Sequence, residues 1–258
     1  MPAEHEFSRD RTDGGAAEGF LDAAKKYNQV RMSAVVNAGR ILDYMEDCRK
    51  ADVKVSMSAV IIKALALIVR EHPEARTIFF SPPPRLVLFD ECTGATPIER
   101  DVKGEKITFL ATLKDCDRRT IVEIASDLER FRNAPPGEIP EFRWMLAMAR
   151  LPRPARRAIL TPLRHVPFLR ARSGGTFGYV EPGADSVDDY LPLAASTVTL
   201  VVGTLKERPL AENGVVVARK TIAVTMMFDR RAMDDVPAAR VFEACIRKLE
   251  TPDFTRDW

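Results

Sequence analysis

Apolar positions repeat most regularly between Ser56 and Pro73, where Met57, Val60, Ile61, Ala64, Leu65 and Ile68 recur at i, i+3, i+4, i+7, i+8 and i+11. That period gathers them on one helical face, Ser56 can cap the first turn, and Pro73 ends the helix. Further helices are predicted over Gly39–Arg49, with Ile41, Leu42 and Met45 on one side, and from about Arg118 to Arg132. A last helix starts near Asp235 and Pro237 and is expected to bury Ala239, Phe242, Cys245, Ile246 and Leu249. Strand-like runs lie at Val30–Asn37, Arg85–Glu91, Lys106–Leu113, Thr176–Val180, Thr197–Lys206 and Val215–Phe228, the last two joined by a turn around Glu212, Asn213 and Gly214. Helices and strands in this order predict an α/β fold, a mixed β-sheet flanked by helices. Residues 1–29, polar at the start and without a period, are expected to form a flexible N-terminal arm. The domain is then 30–258, with an arginine-rich helical insertion at about 141–173.

Composition narrows the class. The 258 residues are 46% hydrophobic and 29% charged, which excludes a collagenous or globally disordered chain. The four cysteines stand far apart without a Cys-x-x-Cys pair, so buried free thiols are expected and neither a zinc knuckle nor a dithiol site, and no metal, is suggested. No apolar run reaches the length of a membrane-spanning helix and no secretory signal opens the chain, which predicts a cytoplasmic protein. Three histidines, His5, His72 and His165, limit any mechanism that needs an imidazole base.

The net charge of +2 conceals a separation. Residues Arg143 to Arg172 carry eight arginines and no acid, whereas the remainder has 31 basic against 37 acidic residues. Trp144, Met145, Leu146, Met148, Ile159, Leu160, Leu163, Val166, Phe168 and Leu169 are threaded between the arginines, and Pro152, Pro154, Pro162 and Pro167 are expected to break the run into short helices. Such a segment suits an anionic membrane surface, an acyl chain, or the phosphates of a nucleotide-bearing thioester. The plainer reading packs it on the sheet or a second subunit, its arginines paired with acids elsewhere in the chain. No nucleic-acid-binding motif accompanies it, so nucleic acid is not expected as a partner.

Several stretches carry a family resemblance in order: Val53–Pro73, Asp115–Leu128, Gly174-Gly175-Thr176-Phe177, Val202-Gly203-Thr204-Leu205 through Gly214, and Met227-Phe228-Asp229-Arg230-Arg231-Ala232-Met233-Asp234-Asp235. The last resembles the signature Asp-His-Arg-x-x-Asp-Gly. Together they resemble the catalytic domain of the dihydrolipoamide acyltransferases of 2-oxo-acid dehydrogenase complexes, related in fold to chloramphenicol acetyltransferase. The resemblance implies a chloramphenicol acetyltransferase-like sheet and a homotrimer with active sites between neighbouring subunits. It also implies coenzyme A or acyl-CoA, or an acyl-carrier thioester, as ligand, with no covalently bound cofactor. The family's histidine is a general base on the thiol, and a strand serine or threonine stabilises the oxyanion.

This chain departs from that pattern at both groups. Arg230 stands where the histidine belongs, and a guanidinium with a pKa above about 12 cannot accept a proton at neutral pH. Val180 stands where the hydroxyl is expected, and loss of one oxyanion donor costs about 100- to 1000-fold in rate. A small shift of register would bring Thr176 or Tyr179 there instead. The signature's glycine is Asp235, while Asp229, Arg231 and Asp234 match its charged positions and are expected in ion pairs holding the turn. Glu181, Asp229 and Asp234 are carboxylates near this site, each read first as an ion-pair partner. The resemblance thus implies a standalone acyltransferase-fold protein that is noncatalytic or impaired, a pseudoenzyme keeping acyl-CoA or pantetheine binding. No room is left upstream for a lipoyl or subunit-binding module. The alternative is an active CoA-dependent acyltransferase with noncanonical chemistry, in which Arg230 stabilises an oxyanion or thiolate. A third reading is a peripheral membrane adaptor using residues 143–172.

Overall fold

The computed structural model describes residues 29–252 other than 82, 103, 184–185 and 193–195, and the backbone alone at 153, 162–165, 168 and 172. The expected N-terminal arm falls almost wholly outside the described residues. In chain order the elements are β1 (Gln29–Asn37), α1 (Gly39–Lys50), α2 (Met57–Glu71), β2 (Thr77–Phe80), β3 (Arg85–Leu88), β4 (Gly94–Val102) and β5 (Glu105–Leu113). They continue with α3 (Ile121–Asn133), α4 (Pro140–Ala149), α5 (Arg153–His165), α6 (Pro167–Gly174), β6 (Phe177–Val180), β7 (Val198–Val202), β8 (Lys206–Glu212), β9 (Val215–Asp229) and α7 (Asp235–Glu250).

Seven strands form one sheet in the order β1-β9-β7-β6-β4-β5, with β8 also on β9. Only β6 runs parallel to its neighbours, β4 and β7, so the sheet is mixed, as the element order predicted. Side chains alternate across each strand. Phe177 and Tyr179, Val198 and Leu200, and Val224, Met226 and Phe228 join the helices in the main core. The alternate positions, Gly178, Val180, Thr199, Val201, Thr225, Met227 and Asp229, therefore face the other side.

The helix α2 is the centre of that core. Ser56 Oγ accepts from Ala59 N at its start, and its apolar positions are buried nearly all round. Lys63 is buried among them, and its Nζ donates to the carbonyls of Asp117 and Arg119 at 2.9 and 2.6 Å. Thr120 and Glu123 close a capping box on α3, which begins three residues later than the pattern suggested. The arginine-rich segment forms α4, α5 and α6 between α3 and β6. Phe142 anchors its first helix, stacking on Phe109 of β5 at 4.4 Å and packing against Phe131 of α3 at 5.6 Å.

Several expectations are corrected. The run Arg85–Glu91 forms β3, which pairs only with β2 in a separate two-stranded ribbon. Two strands, β2 and β4, were not predicted; β4 carries Pro97, placed beyond Gly94 and Ala95 where its pairing with β6 ends, so no N–H is needed on that side. The run Thr197–Lys206 is two strands, β7 and β8, both laid antiparallel along the 15-residue β9 and separated at Gly203. A Cβ at Gly203 would lie 2.6 Å from the carbonyl oxygen of Asp188, so the interruption admits a crossing segment. Asn213 and Gly214 turn β8 into β9 with φ of +51° and +80°. In α7 Phe242, Cys245 and Leu249 are buried as expected, whereas Ala239 is exposed and Ala238 and Val241 are buried in its stead. Pro154 falls in the first turn of α5, where no intrahelical N–H is required, and Pro162 lies within that helix at the loss of one backbone hydrogen bond, so neither breaks the run.

Candidate functional site

The strand β9 delivers the signature residues to a turn at the edge of the sheet's second face. Asp229, its last residue, has a side chain only 1% exposed and donates its own N–H to the Thr197 carbonyl at 2.9 Å. The Asp229 carboxylate accepts from Arg231 three times, from the backbone N at 3.0 Å, Nε at 2.9 Å and Nη2 at 2.7 Å. The Asp229 carbonyl accepts from Ala232 and Met233 at 2.9 and 3.1 Å, closing the turn. Arg231 also lies over the Phe79 ring, 4.8 Å from its centroid. This is a paired, hydrogen-bonded charge, the condition under which a buried carboxylate is tolerated.

Arg230 points the other way. Its side chain is 58% exposed and its Nη2 lies 3.0 Å from Asp235, in the first turn of α7. The two departures from the signature, arginine for histidine and aspartate for glycine, thus face one another as a surface ion pair. Asp234 is the exposed N-cap of α7 with no side-chain cap hydrogen bond, and it forms no ion pair among the described residues. The expected pairing therefore holds for Asp229 and Arg231 and is corrected at Asp234: the second pair is Arg230 with Asp235, because an acid in the first helical turn both meets the dipole and reaches the outward-pointing guanidinium.

At Val180 the second face is apolar. Val180, Val201 and Met227 form a small buried cluster of their own, and Val180 pairs with Val201 across β6 and β7. The turn and this position do not meet within one chain. Phe228 pairs with Val198 while Val180 pairs with Val201, so the two lie about 10 Å apart along the strand direction.

The proposed stand-ins are occupied. Thr176 is fully buried; its Oγ1 accepts from Thr93 N at 3.0 Å and sits within 3.1 and 3.3 Å of the Glu91 and Thr93 carbonyls. Gly175, at φ +70°, makes this clasp feasible, since a Cβ there would come within 2.8 Å of the Thr93 carbonyl oxygen. Tyr179 points to the core face, where burial pushes its phenol far above its usual pKa and its hydroxyl lies 3.4 Å from Glu181. Glu181 accepts from Ser58 at 2.9 Å and lies 3.9 Å from Arg132, so it has the ion-pair role read from the sequence. His72 caps the C-terminus of α2, 3.5 Å from Glu74; His5 and the side chain of His165 lie outside the described residues. Cys48, Cys92, Cys116 and Cys245 are all buried free thiols; burial pushes Cys92 up to about 11 and Cys116 and Cys245 up to about 12, which removes them as nucleophiles near neutrality. Among the described residues no cluster of His, Cys, Asp or Glu is placed to hold a metal ion.

One residue escaped sequence reasoning. Thr199 stands on β7 between Gly178 of β6 and Met227 of β9. It is buried, and its Oγ1 has no hydrogen-bond partner among the described residues, a state that costs about 1–3 kcal/mol. A Cβ at Gly178 would fall 2.5 Å from that oxygen, so the glycine leaves room for it. The other hydroxyls of this face are engaged: Ser33 and Thr225 lie 2.9 Å apart, and Thr225 donates to Asp189, which also binds Arg31 at 2.6 Å. Asp188 is held by Lys206 and Arg208 at 2.6 and 2.7 Å, the Lys206 contact being the main cause that lowers its pKa. These contacts fasten the segment before β7 to the second face. A groove elsewhere, lined by Asp52, Lys54, Thr120 and Glu129 among others, contains none of the signature residues.

Comparison with known proteins places this geometry. Residues 174–255 match the family model of the 2-oxoacid dehydrogenases acyltransferase (catalytic domain). A probable dihydrolipoamide acetyltransferase from Listeria monocytogenes is similar in structure, with a TM-score of 0.71 at 15% identity over 99% of both chains. The cubic core of a pyruvate dehydrogenase multienzyme complex aligns with a TM-score of 0.67 at 14% identity, over 98% of this chain and 97% of that one. A chloramphenicol acetyltransferase aligns with a TM-score of 0.50 at 15% identity, over 91% and 93%. The fold is therefore that of the dihydrolipoamide acetyltransferase cores and chloramphenicol acetyltransferase, as the sequence motifs indicated. No curated protein matches the chain by sequence.

Proposed function

We propose that this chain is an acyltransferase-fold protein that binds acyl-CoA or a pantetheine-borne thioester as a homotrimer and does not transfer the acyl group by the imidazole-driven route. The observation that carries this reading is the state of Arg230: a permanently charged guanidinium at the signature's histidine position, paired with Asp235 at 3.0 Å. A thiol needs a group that takes up its proton, and no imidazole stands at this turn, where the carboxylates of Asp229 and Asp235 are held by Arg231 and Arg230. The apolar cluster at Val180 supports the same conclusion, since it offers the oxyanion no donor. Trimerisation is proposed because the turn and Val180 are separated within one chain, so a site using both requires a second copy. The cytoplasm is the proposed compartment; among the described residues no helix is long and apolar enough to cross a membrane.

The test pairs binding with turnover. Calorimetry with acyl-CoA should register binding, and acyl transfer to dihydrolipoamide should not exceed the uncatalysed rate. The double variant Arg230→His, Val180→Ser should raise the rate by at least about 100-fold over the parent, the usual worth of one restored group. Turnover by the parent that Arg230→Ala abolishes would overturn the noncatalytic reading. A second reading, an active enzyme with noncanonical chemistry, draws on the unpartnered Thr199 hydroxyl, a free donor on the same face as Val180; it requires parent turnover that Thr199→Val lowers.

A further inference from the structure

Four of the arginines of α4–α6 have no acid partner among the described residues. Arg143, Arg150, Arg156 and Arg157 make no side-chain hydrogen bond or ion pair among the described residues, and residues 143–172 contain no acid of their own. Several acids elsewhere are engaged locally: Asp127 binds Arg119 and Arg130, Asp188 binds Lys206 and Arg208, Asp189 binds Arg31, and Glu212 binds Arg219. The intramolecular pairing that would make this segment a neutral packing unit is therefore absent among these four residues.

Met145 and Leu146 pack against the main core, but three large apolar side chains of the segment are turned outward. Trp144 is 38% exposed, Ile159 46% and Val166 42%, whereas Arg156 is only 8% exposed. The helix α5 packs principally on α6 and so stands outside the sheet and main core, yet its sequence is strongly amphipathic. The exposed Arg143, Arg150 and Arg157, without an acid partner among the described residues, and the exposed tryptophan and aliphatic side chains are the two components of an interfacial segment: the cations attract anionic headgroups and the apolar side chains enter the headgroup–acyl boundary. Arginine stems add apolar area while their heads remain at the polar level.

We propose that α4–α6 is a docking surface for an anionic lipid bilayer. The occupant is assigned by charge complementarity, eight arginines and no acid over residues 143–172 with Glu141 the one acid of these helices, together with the exposed Trp144, Ile159 and Val166, which a soluble anion would leave unused. The surface is independent of the acyl-binding reading, because it uses none of the residues at the signature turn.

The full chain is mixed with phosphatidylcholine vesicles with and without phosphatidylglycerol and separated by flotation. Binding to the phosphatidylglycerol vesicles alone, weakened by added salt, is the expected result. Each arginine near such a surface is worth about fivefold in affinity, so Arg150→Ala with Arg157→Ala, both exposed positions, should weaken binding about 25-fold. In a Trp258→Phe background Trp144 is the only indole, and its emission should shift to shorter wavelength on binding. Circular dichroism verifies that the variants remain folded. Equal binding to both vesicle types, or binding indifferent to the double variant, overturns the proposal. So does abolition of vesicle binding by millimolar inorganic phosphate with salt matched, which would reveal a discrete anion pocket. Absence of vesicle binding together with a molecular mass that falls in the double variant also overturns it, in favour of a contact between copies of this chain.

Discussion

At the end of β9, Arg230 and Arg231 stand side by side and each has a carboxylate within 3.0 Å, Asp235 and Asp229 respectively. In α4–α6, Arg143, Arg150, Arg156 and Arg157 have none among the described residues, although Arg156 is nearly as buried as the core. The same guanidinium does different work in the two places. At the turn it satisfies an acid the chain itself supplies, and its role ends inside the fold. In the helices Arg143, Arg150 and Arg157 are exposed and meet no acid among the described residues, which is the basis of the proposed docking surface.

That contrast can be broken by stability measurements. The largest effect is expected from Asp229→Ala, which leaves Arg231 against Phe79 without its acid and removes the acceptor holding the turn; urea unfolding should show a loss of about 3–5 kcal/mol. A loss under about 1 kcal/mol would mean that the turn does not depend on the pair. Arg156→Met should instead raise stability by up to about 1 kcal/mol, because it removes a guanidinium of a buried residue that has no acid partner among the described residues while keeping the volume of the stem. A clear loss in that variant would place an acid partner on Arg156 and weaken the contrast. The smallest change belongs to Arg230→Ala. Its pair with Asp235 is more than half exposed, so solvent and salt screen it and less than about 1 kcal/mol should be lost. A larger loss would make this pair structural and not a surface replacement for the histidine.

Much of the fold was legible in the chain. Ser56 and the six apolar positions after it located α2, and Asn213-Gly214 located the hairpin, because each signal is local and its physical cause acts within a few residues. The strand β4 was not legible: Pro97 and the charged Glu99, Arg100 and Asp101 hide the alternation, and only its place beside β5 makes it a strand. The division of β7 from β8 was equally hidden, since it depends on the close approach of Asp188 to Gly203 from 15 residues away.

The chemistry divides along the same line. Residue types and order alone put Arg230 where the resembled signature has histidine and Val180 where it leads one to expect a hydroxyl, because comparison with a signature requires no coordinates. Only the tertiary structure decided that Arg230 turns outward to Asp235, that Thr176 is bound to the Thr93 backbone, and that Thr199 is left with an unpaired hydroxyl above Gly178. Those outcomes depend on which strands become neighbours and how they are registered, and side-chain hydrogen bonds between strands far apart in sequence exist only once that register is set.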